Sequence, residues 1–271
     1  MTGFTKRYWA EYTSKEFAAL ERDKLIAVLP VGATEQHGPH LPLSVDTSVI
    51  DGMVSAVIRH LPATLPAVFL PTQAIGKSNE HARYPGTLTL SAETLIRNWM
   101  EIGACVAASG VKKLVLFNSH GGQMSIMDIV ARDLRQRFGM LVVASNWYGF
   151  GEPEAMFSDH EMQHGIHAGD VETSLMLSMR PALVAMQHAE KFSALTEDME
   201  QRYRHLSLRS CGKIGWQIHD MNPNGACGDA SIATKAKGDA LTEHVAVRFV
   251  ELLAEIDQAP LSMLANEPAW C

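Results

Sequence analysis

The sequence predicts an α/β protein with a mostly parallel central sheet and helices on both faces. Two observations predict it: short buried apolar runs alternate with segments of helical period, and this strand-helix rhythm holds through the first half of the chain. The 271 residues suffice for one large core without staples. No internal repeat, low-complexity segment or linker interrupts them, so one domain over residues 1–271 is expected.

In order, Thr13-Ser14-Lys15-Glu16 opens a short helix with a capping-box pattern one residue removed. Leu25 to Val31 reads as a strand. Asp46-Thr47-Ser48 caps a helix through His60, in which Val49, Ile50, Met53, Val54, Val57 and Ile58 keep helical spacing. Ala67 to Leu70 is a second strand. Gly76 to Thr87 is a polar loop, and Ser91 begins a helix to Ala108 that Gly110 closes. Lys113 to Phe117 is a third strand, followed by a helix to about Phe138 and a fourth strand, Leu141 to Ala144. Beyond Met156 the rhythm weakens. Asp170 to Met179 reads as a helix, Lys191 to Asp220 as irregular, and Asp229 to Ile256 as a long closing helix.

Composition narrows the function classes. The net charge is −7 with no basic block, which argues against nucleic acid or an anionic membrane as partner. Cys105, Cys211, Cys227 and Cys271 form no C-x-x-C pair and read as reduced thiols of a cytoplasmic protein. The N-terminal Met1 to Trp9 lacks the apolar core of a signal peptide, and no run has membrane-spanning length.

The chemistry concentrates in three segments. In Gly32 to Asp46, Glu35 and His37 are two residues apart, so an extended backbone sends both side chains to one side. Asp46 follows a loop stiffened by Pro39 and Pro42, and its two oxygens can bridge two ions. Carboxylate with imidazole suits one or two divalent ions such as zinc, manganese or iron. His120 stands where a strand gives way to Gly121 and Gly122, which let an ion or substrate approach. Neither G-x-x-x-x-G-K-[ST] nor G-x-G-x-x-G occurs, so a phosphate cradle is disfavoured.

The third segment contains His160-Glu161-x-x-His164, the zinc-protease pattern. It reads as accidental here, because Gly165 and Gly169 follow where that helix would continue and His167 falls where the extended signature wants glycine. His167 and Glu172 are the more useful pair, with Glu172 in the first turn of an apolar helix. Trp147 and Tyr148, with Phe150, are candidates either to line a substrate pocket or to pack against the next helix. Glu80, His81 and Arg83 sit in the polar loop, where they could orient substrate or stabilise an oxyanion but read first as solvated loop charges, with no catalytic role assigned.

Val31 to Leu43, Asp46-Thr47, Tyr84-Pro85-Gly86-Thr87, Asn118-Ser119-His120-Gly121-Gly122, His167 to Ser174 and Gly225 to Gly238 together resemble the creatininase (creatinine amidohydrolase) family. The resemblance runs from about Leu25 to Leu253. It implies a three-layer α/β/α fold, usually a hexameric homo-oligomer, and a metal centre that hydrolyses cyclic amides, formamides or related carbonyl compounds. It places Glu35, His37, Asp46 and His120 on metal ligands, with Asp46 as the bridge. Two departures stand out. Gly122 occupies a position that is acidic in the creatinine-hydrolysing members, so Glu172 is expected to supply the missing carboxylate. Gln163 stands where those members have tryptophan, which weakens creatinine itself as substrate.

The expected mechanism is attack of a metal-activated water on a carbonyl of a small-molecule substrate, with His167 protonating the departing nitrogen. Cleavage of a C–N bond other than a peptide bond is the first expectation. A hydrolase of a cyclic sugar-derived ketone or ester-like bond and a non-catalytic metal-containing sensor are the alternatives. Serine hydrolysis is disfavoured by the absence of G-x-S-x-G.

Overall fold

Side chains along a strand point alternately to the two faces of its sheet, and that alternation decides where each helix packs. The computed structural model describes residues 4–209, 211–265 and 267–270. Met1, Thr2 and Gly3 of the N-terminal segment and Cys271 of the four thiols lie outside the described residues. The first half contains α1 (Ser14–Ala18), β1 (Ile26–Val31), α2 (Val45–His60), β2 (Ala67–Phe69), α3 (Ala92–Ala108), β3 (Lys113–Asn118), α4 (Met124–Phe138) and β4 (Leu141–Asn146). Then come α5 (Asp159–His164), α6 (Asp170–Met179), β5 (Lys191–Phe192), α7 (Leu195–Arg202), β6 (Leu206–Ser207), β7 (Gly212–Lys213), α8 (Ile218–Met221), β8 (Gly228–Asp229) and α9 (Lys235–Gln258).

Strands β1 to β4 form a parallel sheet in the order β2-β1-β3-β4, with Val31 opposite Asn118 and Asn118 opposite Asn146. Ile26, Val28, Val115 and Phe117 pack with α2, α6 and α9 on one face. Leu25, Ala27, Leu29, Leu114 and Leu116 pack with α3 and α4 on the other. The result is the expected three-layer α/β/α arrangement. Phe117 stacks on Phe249 of α9 with ring centroids 3.9 Å apart, and each such buried ring contributes roughly 1.5–3 kcal/mol through its burial. No helix among the described residues is long and apolar enough to cross a membrane.

Local chemistry sets the boundaries. The capping box of α1 is in register, since Thr13 Oγ1 accepts from Glu16 N while Thr13 N donates to Glu16. Ser91 caps α3 through Thr94 N. Asp46 is not a cap: α2 begins at Val45 after Ser44, which makes no side-chain cap bond, and Asp46 lies in the first turn with its carboxylate directed elsewhere. The closing helix starts at Lys235, later than expected, because Asp229 caps a short 3-10 turn through Ser231 N and Thr234 then caps α9 through Lys237 N. The stretch expected to be irregular holds β5, α7, β6, β7 and α8, all short.

Candidate metal centre

The chain leaves β1 for β2 on one side, while β3 lies on β1's other side. That reversal opens a crevice at the carboxyl ends of the strands. Glu35 and His37 leave from β1 and His120 from β3, on either side of it. The β1 loop folds back on itself, with Glu35 N donating to Leu43 O at 2.9 Å and a bridge between His37 and Leu41. This return brings Asp46 under the crevice, where Ser119 Oγ donates to its backbone carbonyl at 2.6 Å. All four predicted ligands from these segments converge, each no more than 4% exposed.

Hydrogen bonding fixes which nitrogen of each imidazole faces inward. His37 Nδ1 donates to the Glu35 carbonyl at 3.0 Å, leaving the Nε2 lone pair free. His120 Nε2 donates to the Lys77 carbonyl at 2.9 Å, leaving the Nδ1 lone pair free. The Gln36 amide places its two protons on His81 Nδ1 at 2.8 Å and Gly225 O at 3.0 Å. His167 Nε2 therefore donates to the Gln36 carbonyl at 2.8 Å. Its ring lies between those of His37 and His81, with centroids 4.1 Å and 4.3 Å away, and its Nδ1 is 4.0 Å from Glu35 Oε1.

Asp46 spans two groups of donors. Its Oδ1 lies 3.8 Å from His37 Nε2, as does Glu172 Oε2. Its Oδ2 lies 3.4 Å from His120 Nδ1, which is 3.3 Å from Glu35 Oε1. Glu172 enters from the first turn of α6 and accepts from Ala168 N at 2.5 Å. Ala168 has φ +55, a left-handed conformation unfavourable for a residue with a Cβ. That turn both aims the amide at Glu172 and carries His167 beside it.

The electrostatics are those of a cation-binding site. Glu35, Asp46, Glu80 and Glu172 converge, and among the described residues no lysine or arginine forms an ion pair with them. Burial and then the Glu35 carboxylate raise the pKa of Asp46, and burial also raises that of Glu172. Burial drives His37 and His81 well below the usual imidazole range. His120 rises despite its burial because Glu35, Asp46 and Glu80 surround it. Glu35 Oε2, His37 Nε2 and Asp46 Oδ2 have no hydrogen-bond partner. Each such orphan costs about 1–3 kcal/mol, and three converging oxygen and nitrogen donors suit a zinc, manganese or iron ion. Within the crevice, Glu35-His37-His167, Glu35-Glu80-His120 and His37-Asp46-Glu172 each have ligand atoms within ion-binding reach of one another. Glu80 approaches His120 at the Nε2 that donates to Lys77 O, so the groups facing the free Nδ1 are Glu35 and Asp46.

Glu80 and His81 correct the sequence reading. They are 8% and 2% exposed, so neither is a solvated loop charge, and His81 Nε2 lies 3.4 Å from Glu35 Oε1. The aromatic candidates divide. Trp147 is 6% exposed and packs in the core, meeting Tyr148 edge-on at 5.4 Å between centroids. Tyr148 is 37% exposed, and burial of its hydroxyl end pushes its pKa up to about 12, with the charges of His120 and Asp46 close enough to act on it.

The protease-like motif is structural. The Glu161 carboxylate accepts from Asp170 N at 2.7 Å and Asp229 N at 2.9 Å. A Cβ at residue 169 would lie 2.1 Å from Glu161 Oε1, so Gly169 is required for that approach. His164 instead pairs with Glu200 at 3.2 Å, away from the crevice.

Comparison with known proteins agrees with this geometry. The creatinine amidohydrolase (creatininase) family model matches residues 10–253. The mycofactocin precursor peptide peptidase of Mycolicibacterium smegmatis is 30% identical over 220 residues, covering 80% of this chain and 79% of that protein. The creatinine amidohydrolase of Pseudomonas putida is 32% identical over 196 residues, covering 65% and 71%. A solved mutant creatininase complexed with creatine superposes with a TM-score of 0.75 at 25% identity, covering 94% of this chain and all of that one. This chain belongs to the creatininase family of hydrolases.

Proposed function

We propose that this protein is a metal-dependent amidohydrolase that cleaves the C–N bond of a small amide, cyclic amide or formamide. One observation carries the proposal: four carboxylates converge and, among the described residues, none of them forms an ion pair with a lysine or arginine, beside three orphaned donor atoms. Glu35, Asp46 and His120 would hold one ion and His37, Asp46 and Glu172 a second. Bound there, a divalent ion supplies Lewis acidity and a water of lowered pKa.

The chain's own residues do the rest. The Gln36 carbonyl accepts the proton of His167 Nε2, so the lone pair on Nδ1 takes a proton from the attacking water and then delivers it to the departing nitrogen. His81 donates from Nε2 toward Glu35 Oε1 and fixes that carboxylate. The half-exposed Tyr148 ring borders the mouth and orients substrate, with Trp147 behind it.

A second reading is favoured by the mycobacterial relative named as a peptide peptidase, which covers more of this chain than the creatinine enzyme does. It places the scissile bond in a short peptide. We also propose a cytoplasmic homo-oligomer, a compartment that the free Cys105, Cys211 and Cys227 support; light scattering tests the assembly. The function is tested by stripping metal with a chelator, restoring zinc, manganese or iron, and assaying lactams, formamides and short peptides. Turnover lost and restored with metal on the small amides supports the first reading, and turnover on peptides alone supports the second. A metal-loaded protein inert toward every amide overturns both.

A further inference from the structure

We propose that Glu80 is a positioning residue for the ion-binding histidine His120, standing behind its ring in space that Gly122 leaves open. This rests on the metal-centre reading above and adds a residue to it. Glu80 belongs to a 3-10 turn over Asn79–His81. Its Oε1 lies 3.4 Å from His120 Nε2, on the edge of the ring opposite the Nδ1 that faces Glu35 and Asp46. A ligating imidazole backed by a carboxylate on its other nitrogen has a fixed tautomer, a fixed orientation and greater basicity. Lys77 O accepts from the same Nε2 at 2.9 Å, so a neutral and an anionic acceptor share one donor.

Gly122 makes the arrangement possible. A Cβ there would lie 1.9 Å from Glu80 Oε1 and 2.5 Å from His120 Nε2, closer than real Cβ contacts allow. The carboxylate of Glu80 therefore fills volume that any side chain at residue 122 would claim. The turn carrying Glu80 is itself held, with Ser78 N donating to Thr89 Oγ1 at 2.8 Å and Leu90 N to Gly76 O at 2.9 Å. Glu80 and Gly122 thus act as one unit on His120.

The test compares the wild-type chain with Glu80→Gln, Glu80→Ala, Gly122→Ala and the Glu80→Ala/Gly122→Ala double variant. Equilibrium dialysis against graded free zinc gives ions per chain and the affinity of each, and His120→Ala and His37→Ala serve as references. Melting in chelator reports the fold alone. Loss of roughly 10- to 100-fold in affinity, in the pattern of His120→Ala rather than His37→Ala, is expected for all three single variants, with the double variant no worse than the poorer single one. Glu80→Gln, which keeps size and an acceptor, carries the test where alanine does not fold. Zinc affinities within about threefold of wild type in both Glu80 variants, whatever happens to melting or turnover, overturn the inference. A wild-type chain that binds no zinc overturns the metal-centre reading instead.

Discussion

Replacing Glu161 by alanine separates a structural carboxylate from a protease base. The side chain accepts two backbone N–H groups, Asp170 at 2.7 Å and Asp229 at 2.9 Å, and so joins the start of α6 to β8. A hydrogen bond to a charged group contributes about 1.5–3 kcal/mol. Two would give about 3–6 kcal/mol, but burial raises the Glu161 pKa, so desolvation offsets part of the gain and the lower end, about 3 kcal/mol, is expected. For a chain of this size that is a fall in Tm of about 6–12 °C. Thermal melting followed by circular dichroism measures it, with zinc content measured below the transition. Metal content near the wild-type value is expected, because the Glu161 carboxylate bonds Asp170 N and Asp229 N and no donor atom of the crevice. An alanine variant that melts like wild type yet has no activity would refute the reasoning and give Glu161 the role of catalytic base.

Replacing His167 by asparagine is expected to lower kcat by about 10²–10⁴ while bound metal stays unchanged; equal loss of metal would make His167 a ligand, as its closeness to Glu35 and His37 permits. Asp46→Asn is expected to strip both ions, since each half of the centre shares that carboxylate, and metal analysis reads the loss directly. Metal binding is expected to release protons between about pH 4 and neutrality. Asp46 and Glu172 have raised folded-state pKa values, so they stabilise the ion-free protein below their unfolded values near 3.9 and 4.3 and lose that contribution as pH rises. His37 and His81, depressed by burial, act in the opposite sense and cost stability as pH falls below about 6.5. Titration calorimetry in buffers of different ionisation heat isolates the proton count, and heats independent of buffer would contradict the assignment.

Much of the centre was legible because its donors sit at strand ends. Glu35 and His37 follow the apolar run of β1, and His120 follows β3, so parallel topology alone predicts that they meet. Asp46 was legible as a donor but not as a position: a Ser-Val-Asp sequence does not reveal which residue opens α2, and the helix starts at Val45, two residues earlier than a cap at Asp46 requires. Glu80 and His81 were not legible as site residues. They lie in a polar loop without periodicity, and what buries them is a set of distant bonds, Gln36 to His81 and Ser78 to Thr89 among them. The signal available was Gly122, whose missing side chain leaves room that another acid can fill. Gln36 is illegible for the same reason, since its role depends on His167 and Gly225 reaching it from the far half of the chain.

The most direct measurement is crystallographic: anomalous scattering from the zinc- or manganese-loaded protein. The account predicts a peak between Glu35, Asp46 and His120 and a second between His37, Asp46 and Glu172, with Asp46 touching both. A loaded crystal with no peak in the crevice, or with ions bound only on the surface near His160 and His164, would contradict it.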